Sequence, residues 1–250
     1  MHLLEVDLGR RVRAGFTRRA GGVSASPYDG LDLALHVGDD PEAVAANRGE
    51  LAAWAGAPVV FGRQVHGVRV LRVDSTDQTP LDPRREDIGL DGGCDALVSV
   101  DPGRALGVLV ADCVPVLLAE PRAGVVGVAH AGRVGLLAGV LEAVLAEMKH
   151  AGARIDLVQV ALGPAAGPCC YEVPQSMRAE AGAQIGSLPA RTSWGTPSLD
   201  LRAGCRERLR AAGVASVQVV GGCTIEDPAS YSYRRGSPTG RFAGVVRLLP

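Results

Sequence analysis

The sequence predicts a mixed α/β domain whose strands are covered on both faces. Three observations predict it. Continuous runs of β-branched and small apolar residues occupy 95–100, 105–111, 114–119 and the GVVGVAH segment ending at His130, with no polar alternation, the pattern of strands buried on both sides. Directly after them, Leu136, Leu137, Val140, Leu141, Val144, Leu145 and Met148 fall on one helical stripe that runs to Gly152. Apolar residues make up 47% of the 250 positions, enough to build the core that such layering needs. The chain is read as one domain, residues 1–250.

The elements follow in order. Residues 12–16 read as a short strand, and TRRAGGVSASPYDGLDL after it as a turn-rich loop. DDPEAVAANRGELAAWAG (39–56) reads as a helix: Asp39 or Asp40 caps it, Pro41 suits its first turn and Gly56 ends it. Strands at 58–65 and 68–73 flank a sharp His66-Gly67 turn, and the polar segment 74–93 is expected to be an exposed loop. Beyond the striped helix come a strand at 157–162, a helix around 200–212, a strand at 216–221 and a last strand near 241–249.

Charge and targeting signals narrow the function. A formal net charge of -1 leaves no cationic excess for a polyphosphate backbone, which excludes general nucleic-acid binding. Lys149 is the only lysine; coding bias accounts for an arginine-only surface as readily as anion recognition does. The N-terminus carries no secretory signal, and no window approaches the ~20 apolar residues of a membrane span. Six cysteines in such a chain are expected to be reduced thiols or metal ligands, in a cytoplasmic protein.

Candidate chemistry gathers at strand ends. His66 (VHG) and His130 (AHAG) each sit where a strand stops at a glycine-containing turn, and Cys113 interrupts the apolar run VLVADCVPVLLAE. Two imidazoles and a thiolate suit zinc, and three protein ligands leave a fourth position open, as in catalytic sites. The alternative is that Cys113 is a small buried hydrophobe and both histidines are hydrogen-bonded rim residues. Asp112 is a candidate base, an orienting partner for a ligand histidine, or a turn cap. The loop GPAAGPCCYEV carries vicinal cysteines that read as packed thiols in a tight turn, and SYSYRRGSPTGR, which gathers Tyr231, Tyr233, Arg234, Arg235 and Arg241, is either a solvated basic loop or an anion clamp.

TRRAGGVS, HVGDDPEAVAANR, RQVHG, ADCVPVLLAEP, HAG, LGPAAGPCCYEV, CTIEDP and YSYRRGSPTGR follow one another in an order that resembles the YfiH/YlmD family, the laccase-domain or polyphenol-oxidoreductase-like proteins. The resemblance implies a layered αββα sandwich of the YfiH/CNF1-like type. It implies a metal on His66, Cys113 and His130. Around the same cleft we expect substrate contacts from Arg48, which ends a helix-coded motif shared with the family, from Gln64, two positions before His66 and so on the same face of a regular strand, and from Arg234 and Arg235. The donor set suits zinc, with copper the alternative that the family's older name suggests. The implied activity is phosphorolysis of adenosine, inosine and methylthioadenosine, with adenosine deamination beside it, so the implied partners are purine nucleosides and phosphate. Two departures bear on substrate recognition: HAGRVG stands where the family has HAGWRG, and Val110 stands where it has a threonine before ADC. Three rivals use the same residues: a copper-dependent polyphenol oxidase, a metal-free cysteine hydrolase with Cys113 as nucleophile, and a non-catalytic nucleoside-binding protein.

Overall fold

The computed structural model describes residues 1–73, 88–89 and 91–250. Most of the loop expected over 74–93, namely 74–87 and 90, lies outside the described residues.

In chain order the elements are β1 (Leu3–Glu5), β2 (Val12–Thr17), α1 (Pro41–Ala55), β3 (Val59–Phe61), β4 (Val70–Val73), β5 (Ala96–Ser99), β6 (Ala105–Val110), β7 (Val114–Glu120) and β8 (Val125–Ala131). They continue with α2 (Arg133–Ala138), α3 (Val140–His150), β9 (Gln159–Leu162), α4 (Gln175–Gln184), β10 (Pro189–Arg191), β11 (Pro197–Leu199), α5 (Leu201–Ala211), β12 (Ser216–Val219) and β13 (Phe242–Leu248). One sheet has the order β1-β2-β13-β6-β3, the other β12-β9-β7-β8-β5-β4, and β10 and β11 form a separate hairpin.

Every residue of β6, β7 and β8 is buried, as their unbroken apolar runs require. Alternation sorts the side chains into layers. In β8, Val126 and Val128 join Phe16, Leu106, Leu117 and Phe242 between the two sheets. Val125 and Ala129 point the other way, against Val144 and Met148 of α3 and Leu209 of α5. On the far side, Leu51 and Ala55 of α1 pack on Leu109 and Val245. The layers therefore run helix, sheet, sheet, helix, the sandwich that the resemblance implied.

Local signals explain several boundaries. Asp40 caps α1 by accepting from the Glu42 amide, and Gly56 closes it. The single helix expected after His130 is two helices. Gly139, at φ 97°, ends α2 and starts α3, a conformation that glycine adopts without steric cost. The apolar stripe crosses the break, because Leu136, Val140, Leu141, Val144, Leu145 and Met148 remain buried together.

Candidate metal centre and its cleft

Three segments distant in sequence meet at one end of the sandwich. His66 lies on the segment joining β3 to β4, Cys113 on the turn between β6 and β7, and His130 near the end of β8. Ladder register places two of them side by side: Pro115 pairs with His130 and Val114 with Ala131, so the turn bearing Cys113 faces Gly132. Only glycine fits there. A Cβ on Gly132 would stand 2.9 Å from Cys113 Sγ and 3.0 Å from His66 Cδ2.

Asp95, just before β5, organises the histidines. Its carboxylate is 2% exposed and accepts four hydrogen bonds. Oδ1 takes the His66 amide at 2.9 Å and His130 Nδ1 at 2.8 Å; Oδ2 takes the Val65 amide at 3.0 Å and the Gly67 amide at 2.7 Å. These bonds draw 65–67 away from strand pairing, which is why the strands expected at 58–65 and 68–73 shorten to β3 and β4. They also hold His66 at φ 61°, a left-handed conformation that costs a non-glycine residue about 1–3 kcal/mol. Asp112 is likewise left-handed, at φ 99°. Its oxygens accept from Thr224 Oγ1 at 2.6 Å and the Arg234 amide at 2.7 Å, which fixes the turn that presents Cys113.

The His66 and His130 ring centroids are 4.7 Å apart, and Cys113 Sγ lies 3.9 Å from His66 Nε2. One donor atom from each of His66, Cys113 and His130 lies within 4.8 Å of the others, close enough to share an ion. With Nδ1 of His130 committed to Asp95, its other ring nitrogen is left for a metal, the usual division of labour in histidine ligation.

The charges are coupled. Burial opposes ionisation of the Cys113 thiol, yet the field of His130 and hydrogen bonds from His130 and His66 outweigh it and bring its pKa down to about 6. Burial also opposes protonation of His130, but the Cys113 thiolate and Asp95 raise its pKa to about 9. Asp95 is held below its ordinary value: burial works against the charge, and the bonds from His130, Gly67 and Val65 prevail. Without metal this is a thiolate–imidazolium pair braced by a carboxylate.

The three residues form part of the wall of a cleft of about 330 Å³. Of the other residues singled out in the sequence, Gln64, Asp112, Tyr233, Arg234 and Arg241 also line it. Gln64 acts as a substitute strand where β3 has ended, donating to the Leu109 carbonyl at 2.7 Å and accepting from the Leu109 amide at 2.8 Å. The Arg234 guanidinium lies 4.7 Å over the Tyr171 ring and donates to the Glu172 carbonyl. Arg48 and Arg235 are not among the lining residues. Arg48 is buried, donates to the Leu33 carbonyl at 2.8 Å and lies 4.8 Å over the Phe61 ring. Arg235 ties its own loop together through the carbonyls of Thr224, Asp227 and Ser230.

Sequence reasoning missed Asp95, whose signal was an acid opening the apolar run DALVSV. It also missed His36 and Tyr171 as lining residues. Of the two departures, Val110 is buried in the inter-sheet core and borders the cleft, while Arg133 opens α2 and Val134 beside it is 49% exposed.

The family described as multi-copper polyphenol oxidoreductase laccase matches residues 13–249. A purine nucleoside phosphorylase of Mycobacterium tuberculosis is 46% identical over 251 aligned residues, covering 98% of this chain and 96% of that one. Among solved structures, a Neisseria meningitidis protein aligns over 100% of both chains with a TM-score of 0.85 and 32% identity. YlmD from Geobacillus stearothermophilus aligns over 96% of this chain and 93% of its own, with a TM-score of 0.83 and 32% identity.

Proposed function

The chain belongs to the laccase-domain family that includes YfiH and YlmD, and on that premise we propose that it is a metal-dependent purine nucleoside phosphorylase. The observation that carries the proposal is the convergence of His66, Cys113 and His130 on the wall of a cleft that also holds arginines and tyrosines. The name of the Mycobacterium tuberculosis relative supports it.

The donor set fits zinc. Two imidazoles and a thiolate are ligands of suitable softness, and with three protein ligands a fourth position remains for water or substrate. Bound there, the metal would supply Lewis acidity and an activated water, which adenosine deamination requires. The chain's own groups serve phosphorolysis. In that reaction a phosphate oxygen bonds to the anomeric carbon of the ribose as its bond to the purine nitrogen breaks, and the electron pair leaves with the base. Arg234 and Arg241 line the cleft and present guanidinium charge to phosphate. Tyr233, 58% exposed at the rim, offers a ring face to the purine. Gln64 and Asp112 act as positioning residues for the strand end and the Cys113 turn. Adenosine, inosine and methylthioadenosine are the proposed substrates.

The test is zinc-loaded protein incubated with a panel of nucleosides, with and without phosphate, and products followed by mass. Base and ribose 1-phosphate should form only with phosphate. Binding without turnover would favour the non-catalytic reading instead. A copper polyphenol oxidase fits less well, because among the described residues only His66 and His130 share a ligating group, whereas laccase chemistry uses several imidazole-ligated coppers. The cysteine-hydrolase reading draws on the same cluster: Cys113 Sγ lies 3.9 Å from His66 Nε2, and the lowered Cys113 and raised His130 pKa values favour the charged pair of an activated nucleophilic cysteine. Iodoacetamide separates the two. A zinc-held thiolate is protected until a chelator is added; a free nucleophile is alkylated either way.

A further inference from the structure

A second group of potential ligands stands outside the cleft. Cys169 and Cys170 lie on the glycine-proline loop after β9, and Cys223 and Glu226 lie on the turn after β12. One donor atom from each of the four falls within 4.8 Å of all the others. Cys170 Sγ is 3.4 Å from Cys169 Sγ, which is 3.4 Å from Glu226 Oε2. Tetrahedral zinc with bonds of about 2.3 Å to sulfur spaces its sulfur ligands by about 3.8 Å, so small side-chain rotations bring these atoms onto one ion.

The backbone is shaped for a thiolate. The Gly167 amide donates to Cys223 Sγ at 3.2 Å. Burial opposes ionisation of this thiol, yet the backbone amides around it favour the ionised sulfur and lower its pKa. Cys223 and Glu226 are three residues apart on one tight turn, closed by the Asp227 amide on the Cys223 carbonyl; this is the short spacing that lets one turn present two ligands. Gly167 leaves the space clear. A Cβ there would meet Cys223 Cβ at 3.0 Å and Cys169 Sγ at 3.1 Å. A disulfide would use two of the thiols and leave the carboxylate without a role. The other two cysteines outside the cleft, Cys94 and Cys205, are each buried in an apolar core.

We propose that Cys169, Cys170, Cys223 and Glu226 form a second metal site, structural in kind, for a thiophilic divalent cation of the zinc class. Three thiolates select such an ion over hard cations, and four protein ligands leave no open position, unlike the cleft. The ion braces the cleft wall. It links the loop carrying Ala166 and Tyr171 to the turn carrying Thr224, and Ala166 and Thr224 both hold Asp112, through its carbonyl at 2.8 Å and its carboxylate at 2.6 Å.

The test counts zinc per chain on the intact, reduced protein, stripped and then equilibrated with zinc in a chelator buffer. Two ions per wild-type chain are expected, one in Cys113→Ala, one in Cys169→Ala, and none in the combined variant. Because buried thiols can matter to folding, Glu226→Gln, at an exposed position, provides an independent arm. It should weaken the second ion by more than about tenfold, since even outer partners of a metal are worth 10–100-fold. Zinc should also raise the melting temperature of Cys113→Ala. A wild-type chain with one ion, lost in Cys113→Ala and indifferent to Glu226→Gln, would overturn the second site and spare the cleft. A wild-type chain with a single ion, kept in Cys113→Ala and lost in Cys169→Ala, would support the second site and count against the cleft. A chain two hydrogens lighter, with its thiols joined and only one zinc, would also overturn the proposal.

Discussion

Asp95→Asn tests the organisation of the cleft with the least change in shape. Asparagine keeps one acceptor oxygen and replaces the other with an NH2 group. Oδ1 serves His66 and His130, and Oδ2 serves Val65 and Gly67, so either orientation turns the amide nitrogen toward two N–H donors. At about 1–3 kcal/mol for each buried donor left unmet, the metal-free fold loses about 2–6 kcal/mol when the amide nitrogen faces Val65 and Gly67. It loses about 1–3 kcal/mol when that nitrogen faces the His66 amide and the His130 imidazole, because the imidazole can turn acceptor. Either is a sizeable part of a typical ~5–15 kcal/mol. The metal suffers as well. When the NH2 group faces His130, the imidazole accepts from it through Nδ1 and carries its own proton on the other nitrogen, the one needed for a ligand bond. Zinc affinity should fall about 10–100-fold. A competition titration against a chromophoric chelator, run well below the melting temperature, measures the affinity, and a denaturant melt of the stripped protein measures the stability. If the folded variant binds zinc as tightly as the wild type, Asp95 does not set the ligand geometry and the reasoning fails.

Other substitutions separate the remaining roles. Cys113→Ser should lose zinc and turnover in parallel, with partial rescue by excess zinc; full zinc occupancy in an inactive variant would refute the ligand assignment. In stripped protein the Cys113–His130 pair should be charged between about pH 6 and about pH 9. The depressed Cys113 pKa makes a stability contribution that is complete above the unfolded value of 9.0 and lost as pH falls through about 6. The raised His130 pKa makes one that is complete below 6.5 and lost as pH rises through about 9. Melting temperature and alkylation rate of the stripped chain, followed across this range, check both signs; an alkylation midpoint near that of a free thiol would refute the pairing. Arg234→Ala should raise KM for phosphate more than KM for the nucleoside. Arg48→Ala should cost about 2 kcal/mol, from a buried charged hydrogen bond, and leave KM for phosphate unchanged; a raised KM would return Arg48 to the site.

The legible parts of the fold were those where one local signal decides. Asp40, Pro41 and Gly56 bounded α1, and unbroken apolar runs marked β6, β7 and β8. The α4 helix gave no such signal: of its residues only Ala181 is buried, so there is no apolar stripe to find. The three-residue strands β1, β10 and β11 are too short for alternation to register. The convergence of His66, Cys113 and His130 was legible because histidine and cysteine at strand ends are chemically conspicuous. Asp95 was not, because its importance lies in four hydrogen bonds to residues 28 to 35 positions away. Arg48 and Arg235 show the converse. Their motifs adjoin the site in sequence, but the direction of a long side chain is set by tertiary packing on Phe61 in one case and by loop carbonyls in the other.

If His66, Cys113 and His130 hold a metal as proposed, their position ties its capture to the last stage of folding. His66 leaves an edge strand of the five-stranded sheet, His130 stands on a strand of the six-stranded sheet, and Cys113 is on the turn that passes between them. Neither sheet alone contains the set. A nascent chain with only one sheet formed presents at most a weak pair of donors, and full affinity arises when the two sheets dock. On the proposed metal-site reading, an ion taken up by this cleft would mark a finished molecule, and a chain stalled before docking would hold one only weakly.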